Sequence, residues 1–288
     1  MTLRILHLLD NLEPSAARTQ ATQLANHLGS DYELHVLSLE RIRGRKTCMA
    51  GAEALRQAGA TVAALSQSTR FDPLVGFRLL KAIQKLSPNV VHAWQPRAQG
   101  WLSLTGGKQP AVLAAVDSWR CDLHSRELRW QRRTLNHAAK VVVPFAAMAE
   151  EHAPFPLNKS AVEVVAPGVE DSAPGTTLHE QRAALFASMG LPPHTRLIVA
   201  AGRMTLGRGY RECVWCEDIL SLLFPDSCLL IFGEGPQRRR MEAFNRALRG
   251  WAHTRFVGWH NLQPWWPHAE LFFHADRETG ISQTLLEA

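Results

Sequence analysis

The sequence predicts an α/β protein of two doubly wound parallel-sheet domains, the second incomplete. Three observations lead there. Short, β-rich apolar runs alternate with helix-like stretches along the chain. The alternation breaks once, over the polar, Gly- and Pro-containing EDSAPGTTLHE at 170–180, and then restarts. The length of 288 residues suits about two domains. Near-continuous apolar strands separated by short helices indicate βαβ units, whose sheets are covered on both faces.

In chain order, RILHLL, YELHVLSL, TVAAL, NVVHAW, AVLAAV, KVVVP and VEVVAP read as strands. The helical stretches between them are AARTQATQLANHL, CMAGAEALRQAG, PLVGFRLLKAIQKL, HSRELRWQRRTLNHA and AAMAEEHA. Together they make a first domain over residues 1–170. The second, over 171–288, runs through RLIVAAG, a helix at 209–224, CLLIFGEG, a helix at 236–249, TRFVGW, ELFFHAD and ISQTLLEA. That last stretch reads as the start of an amphipathic helix after a Thr-Gly turn. It has no Gly cap and no basic last turn, so the expectation is a second domain that stops short.

Composition narrows the function. Apolar residues make up 46% and charged residues 20%, which supports a proper core and excludes a disordered chain. The net charge of +6 favours anionic partners: phosphorylated ligands, nucleic acid or an acidic membrane face. No RNA-binding or zinc-finger signature is present, so nucleic acid is not the expected partner. The 5 cysteines have no framework spacing, which suits reduced thiols in a cytosol. Cys213 and Cys216 form a lone CxxC without the second pair a zinc site needs, so no metal ligand set is expected. MTLRILHLLDN lacks the features of a signal peptide, and no window reaches the roughly 20 apolar residues of a membrane span. Membrane attachment is therefore expected to be peripheral. HSRELRWQRRTLNHA, basic and aromatic, suits either an anionic lipid surface or a solvated helix face.

In open α/β sheets ligands sit beyond the carboxyl ends of the strands, and three segments there carry candidate chemistry. In RLIVAAGRMTLGRGYREC, Arg203 and Arg208 flank a loop with Gly202, Gly207 and Gly209 ahead of a helix. Guanidinium groups beside a helix N-terminus suit a diphosphate; spacing alone equally allows a solvated basic turn. In LLIFGEGPQRRRMEAF, Gly235 lies in a GxG turn and Arg238, Arg239 and Arg240 spread around the following helix, which suggests a solvated face. In TGISQTLLEA, backbone N–H groups of Gly280, Ile281 and Ser282 at a helix start could receive an anion or sugar hydroxyls, and Glu287 is a long acceptor suited to a ribose diol. No GxGxxG follows the first strand, which argues against a dinucleotide oxidoreductase. His7 and His92 lie within strands and read as core or cleft-edge histidines. Trp259, Trp265 and Trp266 read mainly as packing residues.

In this order the segments resemble the retaining GT-B glycosyltransferases of the group one, or family four, type. RILHLLDNLEPSAARTQATQLANHL is similar to the opening strand, loop and helix of that family. NVVHAWQPRAQGW, KVVVPFAAMAEE and VEVVAPGVE resemble its later first-domain segments. AAGRMTLGRGY is similar to its phosphate loop, with Arg208 where the family has Lys, and LLIFGEGPQRR, TRFVGW and ETGISQTLLEA match the following signatures.

The resemblance implies two Rossmann-like domains, the first for the acceptor and the second for a UDP- or GDP-linked sugar. It implies transfer of a hexose to a sugar, lipid-linked or other hydroxyl acceptor, with retention and without cofactor or obligatory metal. Arg203 and Arg208 would face the leaving diphosphate. Gly202, Gly235, Thr279, Gly280, Ile281, Ser282 and Glu287 would line the donor site, and Asp117 would touch sugar or acceptor. Three departures stand out: Ser15-Ala16-Ala17-Arg18 replaces a glycine-rich loop, Asp117 stands where a His is frequent, and Thr279 replaces the first glutamate of an E-x7-E motif, with Glu278 one position early. They point to donor binding more firmly than to turnover, which leaves a non-catalytic or degenerate nucleotide-sugar binder as the alternative.

Overall fold

The computed structural model describes residues 2–67, 72, 74–104, 110–119, 125–150, 155–170, 178–277, 279–280 and 282–288. Cys121, Glu278, Ile281, the 171–177 part of the expected linker and the last residues of AAMAEEHA lie outside them. The chain divides into two units, Met1–Gly168 with Thr279–Ile281, and Val169–Glu278 with Ser282–Ala288.

The first unit contains, in order, β1 (Leu3–Leu9), α1 (Ala16–His27), β2 (Tyr32–Glu40), α2 (Lys46–Gln57), β3 (Thr61–Gln67), α3 (Leu74–Leu86), β4 (Val90–Ala93), α4 (Pro96–Ser103), β5 (Ala111–Ala115), β6 (Ser118–Trp119), α5 (Ser125–His137), β7 (Lys140–Val143), α6 (Ala146–Glu150) and β8 (Val162–Val164). Seven of its strands form one parallel sheet in the order β3-β2-β1-β4-β5-β7-β8. Alternation along β1 sends Leu6 and Leu8 to α3 and α4 on one face, and Leu9 to α1 and α2 on the other. All three are fully buried, each contributing roughly 1.5–3 kcal/mol. Ala17, Ala21 and Ala25 are the buried residues of α1, so it can lie close over the sheet.

The second unit contains α7 (Leu178–Ser188), β9 (Arg196–Ala201), α8 (Tyr210–Leu223), β10 (Ser227–Phe232), α9 (Arg238–Arg246), β11 (Thr254–Gly258) and β12 (Ala269–Phe272). The strands form a parallel sheet in the order β11-β10-β9-β12. Every residue of β10 is buried because both faces are covered. Leu229 and Ile231 meet α8 and α9, while Cys228, Leu230 and Phe232 meet Phe186 of α7 and Trp265. The sequence reading did not pick out α4 or α7. The apolar residues of α7 do not form one stripe, and α4 is short and opens on Pro96.

At the carboxyl end, β13 (Thr279–Gly280) pairs antiparallel with β6, Gly280 opposite Ser118, within the first unit. The last helix, α10 (Gln283–Glu287), belongs to the second unit. The helix therefore opens at Gln283 rather than at Gly280, whose backbone lies in a strand.

Candidate functional site

The site is assembled in the second unit from loops at the carboxyl ends of its strands. The loop after β9 crosses the loop after β10 through backbone contacts. Gly202 N–H donates to Phe232 O at 2.9 Å, Met204 N–H to Glu234 O at 2.9 Å, and Gln237 N–H to Met204 O at 3.1 Å. Gly233 is required at this crossing. Its φ is +136°, and a Cβ there would lie 1.9 Å from Gly202 O. The same loop is tied to the segment after β12, where Arg277 N–H donates to Gly207 O at 2.9 Å. Gly209 starts α8 with φ +65°, and a Cβ there would sit 2.0 Å from Ala275 O. Backbone is thus packed on backbone, which fixes where the loop's side chains leave it.

Two of those side chains are the predicted arginines. Arg203 is exposed, and its carbonyl accepts from Thr205 N–H at 2.9 Å. Arg208 is half-buried and makes an ion pair through Nη1 with Oδ2 of Asp276, whose side chain is nearly buried. A guanidinium held this way loses little rotamer freedom on meeting a ligand. Tyr210, buried at the start of α8, has its hydroxyl pKa raised by burial. Arg277 pairs with Glu212 of the first turn of α8 at 2.5 Å.

The start of α10 lies over the same edge: Thr284 Oγ1 donates to Ala201 O, the last residue of β9, at 3.4 Å. Ser282 is the N-cap, yet its hydroxyl meets Thr284 Oγ1 at 2.7 Å and makes no capping bond. Glu287 is half-buried, its pKa raised by burial, with Gln283 Nε2 donating to Oε1 at 3.1 Å. Gly202, Arg203, Arg208, Gly235, Ser282 and Glu287 therefore share one unit. Gly280 and the Thr279 backbone belong to the first unit, and so does Asp117, half-buried just after β5. Arg238 is bound to Glu234, Glu242 and Phe256 O, whereas Arg239 and Arg240 are exposed.

In the first unit, His7 and His92 face each other across β1 and β4. His92 stacks on Trp94 at 4.0 Å, and Trp94 Nε1–H donates to His7 Nδ1 at 2.9 Å. Burial pushes His7 down to about 4; burial, and then repulsion from His7, pushes His92 to about 3. Both are neutral at neutral pH. Since the unfolded chain takes up protons near pH 6.5 and the folded one does not, stability is intact above pH 6.5 and falls as pH drops towards 4. For His7 alone, a difference of about 2.5 units corresponds to about 3 kcal/mol. His92→Phe keeps a ring against Trp94 and removes a titrating group. It is expected to flatten the fall of the unfolding midpoint between pH 6.5 and 4, measured by calorimetry. An unchanged pH profile would remove His92 from this account.

Among the described residues no cluster of His, Cys, Asp or Glu could hold a metal. Cys213 is buried, with its pKa pushed up to about 12 by burial, and Cys216 is exposed; both are free thiols. Among the described residues no helix is long and apolar enough to cross a membrane.

Comparison with known proteins bears on this arrangement. The sequence profile of Glycosyltransferase Family 4 matches residues 17–173. The chain belongs to glycosyltransferase family 4. A search of curated protein sequences gave no significant match. Among solved structures, Anabaena HepE in complex with UDP and glucose is similar, with a TM-score of 0.74 and 12% identity over 95% of this chain and 74% of that one. A glycosyltransferase from Rickettsia africae gives 0.64 and 15%, over 96% and 73%. TarM from S. aureus, crystallised with UDP, fondaparinux and alpha-GlcNAc-glycerol, gives 0.71 and 7%, over 96% and 82%. At these identities the likeness is one of fold, and the fold is GT-B.

One departure named above is visible in the structure. Where the resemblance leads one to expect a glycine-rich loop, Ser15 is the N-cap of α1, its hydroxyl accepting Arg18 N–H at 3.3 Å, and Ala16 and Ala17 are already helical. Asp276 was missed by sequence reading. Its only signal was an acidic residue just beyond ELFFHA, a strand end like those already singled out.

Proposed function

We propose that this family 4 protein transfers a hexose from a UDP- or GDP-linked sugar to an acceptor hydroxyl, with retention and without an obligatory metal. One observation carries the reading: the loop after β9 holds Arg208 in an ion pair with Asp276, at the carboxyl edge of the second sheet, beside the exposed Arg203. HepE, similar in fold, was crystallised with UDP-glucose, which supports a nucleotide-sugar donor.

On this reading the leaving diphosphate accepts bidentate, charge-assisted bonds from Arg203 and Arg208. Fixed positive charge there stabilises the negative charge that develops as the glycosidic bond breaks, a task divalent ions perform elsewhere. Gly202 and Gly235 let backbone approach the donor, Glu287 takes the ribose diol, and Gly280, Ile281 and Ser282 offer backbone donors. Thr279 is assigned to the donor sugar, and Asp117 to a sugar or acceptor contact. The acceptor is a sugar, a lipid-linked or another hydroxyl compound of cell-envelope polysaccharide synthesis. The protein works in the cytoplasm, peripheral to the inner face of the membrane. On this reading residues 1–170 serve the acceptor and residues 171–288 the donor.

The test is calorimetric titration of UDP- and GDP-sugars in the presence of a chelator, with release of free nucleotide diphosphate followed over an acceptor panel. The expected result is micromolar binding of one donor and acceptor-dependent release. Absence of binding by every donor overturns the proposal. Binding without release for any acceptor supports instead the degenerate binder, which Thr279 and the helical Ala16-Ala17 favour.

A further inference from the structure

The second unit carries a surface that the donor reading does not use. Tyr210, Cys213, Val214, Glu217 and Ser221 of α8 are buried, so its opposite side faces out. That side would ordinarily be polar. Here it carries Trp215, Ile219, Leu222 and Leu223, and the last two are 70% and 69% exposed. Trp251 adds to it, 57% exposed. It follows Gly250, whose N–H donates to Asp218 Oδ1 at 2.6 Å on the same helix. An outer helix side that is apolar over the last three turns marks a surface that something covers.

The charge around this face indicates what covers it. The Arg211 guanidinium lies 4.9 Å over the Phe244 ring, which joins the first turn of α8 to α9. Arg211, Arg239, Arg240 and Arg246 are all exposed. The acidic residues nearby are engaged elsewhere. Glu212 meets Arg277 at 2.5 Å, Asp218 accepts from Gly250, and Glu242 accepts from Arg238 at 2.7 Å. The surface is therefore apolar, with tryptophans among its leucines, and the adjoining helix α9 adds exposed arginines, the pattern of helices that lie in an anionic membrane interface. A second copy of the chain docked on the same face would set arginines against arginines, which is unfavourable. By contrast the described side chains of α5 form no comparable surface. Its exposed residues include Arg129, Arg132, Arg133 and His137, while Trp130 is turned towards Trp101, with ring centroids 5.9 Å apart.

We infer that the outer face of α8, with Trp251 and the arginines of α9, docks on an anionic lipid bilayer. This deepens the peripheral membrane location proposed above but does not depend on donor binding. The aliphatic and tryptophan side chains enter the acyl–headgroup boundary, and the arginines meet lipid phosphates.

The experiment is co-sedimentation of the full chain with phosphatidylcholine vesicles, with and without phosphatidylglycerol, at low and high salt. Binding is expected only to the anionic vesicles and is expected to weaken with salt. Leu222→Glu/Leu223→Glu should weaken it at least about tenfold. Arg239→Ser/Arg240→Ser should weaken it roughly fivefold per arginine. Calorimetric titration of the donor on the same variants separates this inference from the proposed activity, since donor affinity should not change. Because these side chains are exposed, the variants should unfold at the parent temperature; if the glutamate pair fails to fold, the arginine pair carries the test. Three results would each overturn the inference. These are no binding to anionic vesicles at low salt, binding that survives both variants, and a dimer in sedimentation velocity that Leu222→Glu/Leu223→Glu dissolves.

Discussion

Arg208→Ala is expected to lower kcat/KM for donor transfer by about a hundred- to a thousandfold, the usual cost of removing a preorganised donor to developing charge. The reason lies in its setting. Arg208 is held by Asp276 at the edge of the sheet, so its position is fixed before substrate arrives. Lysine at this position would keep the charge but lose the planar fork that both Asp276 and a phosphate can use, so Arg208→Lys should recover only part of the loss. Asp276→Asn keeps the shape and removes the pairing charge. If Asp276 only positions Arg208, this variant lowers kcat more than it raises KM, and the Arg208→Ala/Asp276→Asn double variant is no worse than Arg208→Ala. Steady-state kinetics of the four proteins decides this. Additive losses would show that the residues act separately, and unchanged kinetics for Arg208→Ala would remove the loop from the mechanism.

The second large effect is structural. Gly233→Ala should destabilise the second unit by more than about 4 kcal/mol, beyond the ordinary range of single substitutions. The site cannot relax cheaply. The new methyl would overlap Gly202 O at 1.9 Å, and the backbone φ of +136° is one that alanine rarely adopts. Both sides of the clash are backbone, held by Gly202 N–H to Phe232 O and Gly233 N–H to Gly258 O at 2.9 and 2.8 Å. Thermal unfolding is the measurement. The expected result is a lowered transition for the second unit and an unmoved transition for the first. A Gly233→Ala protein with both transitions at parent values would mean that the crossing of the two loops is not as described.

Much of the fold was legible because it rests on local pattern. The apolar runs of β10 and β1 identify buried strands without knowledge of their neighbours. The helices α2, α3 and α8 followed from spacing. At the site, the glycines of RLIVAAGRMTLGRGY and CLLIFGEG marked the loops where backbone crosses backbone. What stayed hidden was of two kinds. α7 lacks a periodic stripe, so no local signal distinguishes it, and β13 is a two-residue pairing decided by Ser118–Trp119 far upstream.

By itself, the sequence determined the two βαβ series, the loops that end their strands and the basic residues placed on those loops, since these depend on side-chain period and backbone freedom. Only the tertiary structure decided that Arg208 meets Asp276 across 68 residues, that His7 and His92 are buried neutral against Trp94, and that α8 leaves Trp215, Ile219, Leu222 and Leu223 exposed. The physical reason is that ion pairing and desolvation act through space, between groups the chain brings together only once its sheets have formed.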